Sequence, residues 1–366
     1  MYQAKRKTDR NSPEWKAYPE EVRRNTFTRE GTMVAFPTCF PGATVAFPPD
    51  ESHITALDVV ADGTVYGGAG GRQAHLFVAT FHSYTGMVME IGKPEGATSC
   101  PAICCGAGRF VAFVNGPHGG RMVGAPLQWV NEDLIQEWNF TIAPLADYGE
   151  CAAGEPVVDA VATAARDLAV GITKNHLFTA EIASPKVRVV GEVPGAGRIA
   201  VASGGGIVGA EGGGRLWHFD PKSGALRRGA FALPEGDWSA PLEWAREART
   251  GLLYTADAAG RLFSFDESRG FGGPLGQTPL TPVGPMAATL DGRVFGFCGS
   301  EMANMFCYDP AARQAANLGV AVSVIERRRY GYEFGAAATG RNGEIFFGEN
   351  DNGGHLWIYF PSIRAV

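Results

Sequence analysis

Seven polar residues occupy one position of a repeated segment: His75, Arg121, His176, Arg215, Arg261, Asn304 and His355. The residues around each are mostly apolar, so a shared polar position asks for a reason. A group of guanidinium and imidazole side chains on one face suits an anionic ligand. Arg holds a carboxylate through two parallel hydrogen bonds, and His serves as a base near neutral pH. The competing explanation is internal: the polar groups satisfy one another or the adjoining turn.

Spacing separates the repeats. Across the mouth of a short hairpin, residues i and i+4 face each other. This predicts the pairs Glu211 with Arg215, Asp257 with Arg261 and Asp351 with His355, all structural. Four residues before His75, Arg121 and His176 stand Gly71, Pro117 and Ile172, none with a side-chain acceptor. These three bases therefore form the candidate site, with Arg121 binding a carboxylate and His75 or His176 as base. His118, in the turn "NGPHGGR", and His53, just ahead of the first inner strand, are alternates. The run Arg327-Arg328-Arg329-Tyr330-Gly331-Tyr332 reads either as a solvated charged loop or as a carboxylate clamp with a phenolic acid, Tyr332, and a stacking face, Tyr330. Tyr148 and Glu150 are expected to reach inward from a long connection. No cofactor is expected and no metal site is assigned, although His75, His176 and His355 would ligate a divalent ion if their repeats approached the axis.

The elements that must position these residues are hairpins. The segments "GIVGAEGGGRLWHFD", "LLYTADAAGRLFSFD" and "IFFGENDNGGHLWIYF" show the pattern most clearly, and degenerate copies start at Val65, Phe110, Leu168 and Val294. Seven copies without a helical period between them predict an all-β, seven-bladed β-propeller of four-stranded antiparallel blades. Asp62-Gly63, Asp291-Gly292 and Asn342-Gly343 supply the positive φ that tight hairpins need. The last copy stops one strand short, so an N-terminal strand from "TFTREGTMVAFPTCFPGATVAFPP" is expected to close the ring. The predicted organisation is a polar extension, 1–24, and one propeller, 25–366. Two long connections, 140–156 and 320–335, place the site on the face that carries the turns between second and third strands. Aromatic residues two positions after the ring position, Phe77, Phe178, Trp217, Phe263, Phe306 and Trp357, are predicted core.

Composition sets the outer bounds. The 366 residues include 50 Gly and carry a formal net charge of -6, which argues against a nucleic-acid or anionic-membrane partner. The N-terminus lacks an apolar leader segment, so a cytoplasmic location is expected for the chain as written, and a secreted or periplasmic one if a leader preceded it. The seven Cys have no metal-site spacing and are expected to be reduced, buried thiols. "GGAGG" and "SGGG" join strand to strand, with no helix N-terminus to hold phosphate. Oligomeric state is left open.

The segments "DGTVYGG" and "DGRVFGF", followed by "GGGRLWHFDP" and "AGRLFSFDE", resemble the repeats of seven-bladed propellers at large over residues 54–363. The His, Arg and Tyr population of one face resembles that of propeller polysaccharide lyases of the ulvan lyase and oligogalacturonate lyase type. That resemblance implies a lyase performing β-elimination on a uronate-containing, acidic oligosaccharide or polysaccharide. The residue reading leaves two alternatives: a non-catalytic scaffold that binds a protein or glycan, and a glycoside hydrolase, which requires two carboxylates flanking the bond.

Overall fold

The computed structural model describes residues 31–38, 47–81, 86–127, 142–300, 302–324 and 329–362. The 1–24 extension, Cys39, Arg327 and Arg328 lie outside the described residues. Seven antiparallel sheets follow one another around an axis. Blade one is built from His53–Val59, Val65–Gly70, His75–Phe81 and Gly86–Gly92. Blade two runs from Ser99–Gly106 to Ala146–Glu150, blade three from Val157–Ala162 to Val187–Glu192, and blade four from Ala200–Val201 to Ala225–Ala232. Blades five and six begin at Ala245–Arg246 and Val283–Ala288. Blade seven holds Phe334–Thr339, Ile345–Glu349 and His355–Pro361, and its fourth strand is Gly31–Pro37, paired with His355–Pro361 from Gly31↔Pro361 to Pro37↔His355. The expected closure of the ring by an N-terminal strand is thus present, and it covers an edge that would otherwise be open to pairing.

The repeat's small residues have a packing reason. On the second strand of four blades, Gly67, Gly171, Gly209 and Gly296 stand opposite Phe77, Phe178, Trp217 and Phe306. A Cβ on Gly67 would lie 2.1 Å from the Phe77 ring, and one on Gly171 2.2 Å from Phe178. Each aromatic ring lies flat over a strand that only glycine lets it approach. All six predicted aromatics are buried; Phe77, Phe178, Trp217, Phe306 and Trp357 lie in clusters that bridge neighbouring blades, and Phe263 packs on Trp238. Gly63, Gly292 and Gly343 have φ of 95°, 80° and 91°, as the hairpin reading requires.

Both long connections contain strands. Ala146–Glu150 is the outer strand of blade two, and Gln314–Val322 pairs with Tyr330–Gly331 in blade six. Tyr148 therefore sits in a sheet and takes a hydrogen bond from Arg109 Nη2 at 2.5 Å, while Glu150 is exposed; neither reaches the axis. The six described cysteines are buried. Burial pushes the Cys100 and Cys151 thiols up to about 12, which leaves them protonated and unreactive.

Candidate functional site

Six of the seven ring residues open the third strand of their blade, and Arg121 stands third in its strand. The third strand lies two strands out from the axis, and the bases expected to lack carboxylates have them. His75 is fully buried, with Nε2 2.7 Å from Glu51 Oε2 and Nδ1 against Glu90 Oε1. Phe47 stacks on its ring at 4.9 Å. Arg121 pairs with Asp147 at 2.5 Å and also donates to the Glu95 carbonyl. His176 Nδ1 lies 3.1 Å from Glu155. Glu155 is pushed up by burial, but hydrogen bonds from Thr173, Asn175 and His176 outweigh this and bring it down to about 2. The partners come from the loop before a first strand, from outer strands, and from the connection between blades. Counting four residues back could not find them.

Of the three expected hairpin pairs one is present, and in the other two Glu211 and His355 have partners from elsewhere. Asp257 and Arg261 do pair, at 2.7 Å. Glu211 instead takes Arg228 and the Gly229 amide, and Arg215 is exposed. His355 faces the fully buried Glu349, 3.3 Å away. Glu349 also binds Arg329 Nη2, at 3.1 and 3.2 Å, and Trp357 Nε1. Tyr330 and Tyr332 pack on Met302, Val320 and Val322. Burial raises the Tyr332 hydroxyl above its ordinary value despite the Arg329 charge nearby. His53 Nε2 meets Asn352 Oδ1 at 2.8 Å.

The structure therefore brings His53, His75, Arg329, Tyr330 and Tyr332 to the junction of blades six, seven and one, laced together by the turn 350–354. Arg329 donates to the Gly353 carbonyl, and the Gly354 amide donates to Ser52, next to Glu51. Arg121, His118, His176 and Tyr148 stand apart in blades two and three; His118 is an exposed turn residue. His75, His176 and His355 sit on separate carboxylates, and among the described residues no three His, Cys, Asp or Glu are grouped to hold a metal.

Among the described residues the axial channel forms a concave site. Its narrower chamber, about 160 Å³, is lined by residues from all seven blades. It is continuous through Leu57, Ile103, Trp244 and Met286 with a wider chamber of about 620 Å³. The wider chamber opens among the turns between first and second strands, at Thr163, Ala164, Ala248 and Thr339. This is the face opposite the one expected from loop length. Tight turns leave the mouth of the channel uncovered.

Three charged residues unassigned from the sequence occupy the narrow chamber. Arg198, entering from blade four, donates to Asp159 of blade three and to the Pro101 carbonyl, both at 3.1 Å. It also donates to the carbonyls of Thr55 and Gly335, in blades one and seven, at 3.2 and 2.8 Å. Asp159 further accepts the Ile199 amide at 2.9 Å. Burial raises the Asp159 carboxyl against the pull of Arg198. The third residue, Glu243, makes no hydrogen bond among the described residues, and its nearest cation is Arg198 Nε at 3.9 Å. Burial, opposed by Arg198 and aided by Asp159, pushes its carboxyl up to about 7. For Asp159 the legible signal was a lone charge in an apolar inner strand, "VVDAVA". His218, also unassigned, bridges Glu267 at 2.7 Å and Arg227 at 3.1 Å and locks blade four to blade five.

No protein-family model matches the chain, and no curated protein does. Solved propellers match it in shape. A catalytically inactive virginiamycin B lyase from Staphylococcus aureus with quinupristin superposes with a TM-score of 0.61 at 9% identity, over 90% of this chain and 99% of that one. The WD40 β-propeller domain of Doa1 gives 0.57 at 10% identity, over 84% and 93%. A chain of the mitotic checkpoint complex gives 0.58 at 11%, over 91% and 94%. At these identities the likeness establishes the seven-bladed propeller and nothing of the chemistry, since enzymes and scaffolds share the fold.

Proposed function

We propose that the protein is a lyase that performs β-elimination on an acidic, uronate-containing saccharide in the axial channel, with Glu243 as its acid–base group. The observation that carries this reading is the Glu243 carboxyl, which faces a cavity and has no hydrogen-bond partner among the described residues. A carboxylate whose protonation midpoint is about 7 is a stronger base than an ordinary one and is still available at neutral pH. It takes the proton α to the uronate carboxylate, the C–O bond to the β oxygen breaks, and a C=C bond forms. The leaving oxygen is protonated from Glu243 or from water. Trp244, which lines both chambers, offers a face for a sugar ring.

Glycoside hydrolysis is less well supported, because it needs a second available carboxylate and Asp159 is already held by Arg198 and the Ile199 amide. The scaffold reading has one observation in its favour. Leu290 and Phe360, 40% and 47% exposed, line an outer groove with Phe81 and Phe346. The two readings part on turnover: wild type and Glu243→Gln are incubated with a panel of acidic oligosaccharides while unsaturated product is followed by its ultraviolet absorbance. The lyase reading expects product from wild type and almost none from the variant. No product from any substrate, or equal product from both proteins, contradicts it.

A further inference from the structure

The wide chamber differs in charge from the narrow one. Its charged lining residues are Asp58, Arg166 and Arg246. Arg166 grips Asp58 with two hydrogen bonds, at 2.8 and 3.1 Å, and spends a further donor on the Cys105 carbonyl. That pair is electrically closed. Arg246 donates only through Nε, to the Val201 carbonyl at 3.0 Å, and its two terminal nitrogens have no hydrogen-bond partner among the described residues. Among the lining residues Arg246 is therefore the cation without an ion-pair partner in the lining, in a chain whose formal net charge is -6, with the Glu247 carboxylate acting on it from outside the lining. The terminal nitrogens of a guanidinium present parallel donors that match a carboxylate. Arg246 is exposed at the chamber opening, where partial burial lowers its pKa and the Glu247 carboxylate opposes that shift.

The walls complete the description of a ligand. Trp244 stands two residues before Arg246, just ahead of the inner strand Ala245–Arg246, and both line the chamber. Leu57, Ile103, Ile199 and Met286 add apolar wall, and Thr163 and Thr339 add hydroxyl groups. A volume of about 620 Å³ suits a small molecule. A phosphate dianion would need a second available cation, and none lines this chamber among the described residues.

From these observations we infer that the wide chamber binds a small monoanionic carboxylate through its opening at the tight turns, with Arg246 as the carboxylate anchor and Trp244 as the face under its body. This deepens the lyase reading and rests on the same channel being the site, because it supplies the cation that the elimination needs.

The test uses titration calorimetry of the whole chain with phenylacetate, its neutral analogue phenylacetamide, and phenyl phosphate. Phenylacetate is expected to bind wild type at least tenfold more tightly than either of the others. Arg246→Ala is expected to lose at least tenfold of that affinity, and Arg246→Lys to fall between, since a point charge lacks the paired donors. Circular dichroism checks the fold of both variants. No binding of phenylacetate to wild type, equal binding of acid and amide, or unchanged binding by Arg246→Ala would overturn the inference. Glu243→Gln separates the two ideas. If it abolishes turnover while Arg246→Ala binds phenylacetate normally, the anchor is wrong and the acid–base reading stands. If carboxylates bind through Arg246 and Glu243→Gln turns over normally, the acid–base reading is wrong and the anchor stands.

Discussion

The third-strand ring and the axial channel both carry charge, and they use it differently. Around the ring, His75 lies between Glu51 and Glu90, Arg121 meets Asp147, His176 meets Glu155, and His355 meets Glu349. Each of these four is closed by an acid within a few ångströms, and Arg215, the exposed member of the ring, donates to the Gly229 carbonyl. In the channel, Arg198 is closed by four acceptors, but Glu243 and the terminal nitrogens of Arg246 are left open. The number of charged residues in a region therefore says little about function. What matters is which charges remain without partners once the fold has formed, because partnered groups hold elements together and open ones can meet a ligand.

Substitutions in the two regions are expected to differ in size and direction. The largest effect is expected from Arg198→Ala, which removes a hub joining five blades and leaves Asp159 buried without its cation. The expected loss is about 3–5 kcal/mol, read from denaturant unfolding. Glu243→Gln is expected to act in the opposite direction. Burial raises the Glu243 carboxyl from 4.5 to about 7, so the native state holds this proton more tightly than the unfolded chain does. The resulting stability is complete below pH 4.5 and is lost as the pH rises through 7. A permanently neutral amide escapes that loss. The variant should match wild type near pH 4 and exceed it by about 3 kcal/mol at pH 8.

The same substitution should lower turnover of acidic oligosaccharides by roughly 100-fold or more. The kcat/KM of wild type should rise with pH through about 7, since the base must be ionised in the free enzyme. The smallest effect is expected at the ring: Arg121→Ala should change stability by about 0–1 kcal/mol and leave turnover unchanged. A large loss of activity there would return the site to the ring and reverse the comparison.

The fold was readable because its signals are local. A glycine facing an aromatic ring across a hairpin, and an Asp-Gly or Asn-Gly turn, recur within each blade and need no knowledge of distant residues. Ring closure was equally legible from a repeat that lacked one strand. The site was less legible because charge closure is nonlocal. Glu51 reaches His75 from 24 residues away, and the acceptors of Arg198 lie 39 to 143 residues from it in sequence. Alignment of repeats found a shared position, the third-strand start, whereas the channel residues Asp159, Arg198, Glu243 and Arg246 share none. They occur once each, and only the axis brings them together.

Everything proposed for the channel depends on Glu243 being an open carboxyl whose protonation midpoint is pushed up to about 7 by burial. Carbon-13 NMR titration of the glutamate carboxyls, with Glu243 assigned by its absence from the Glu243→Gln spectrum, measures it directly. The account predicts a midpoint at about 7; a midpoint at the ordinary 4.5 would contradict it.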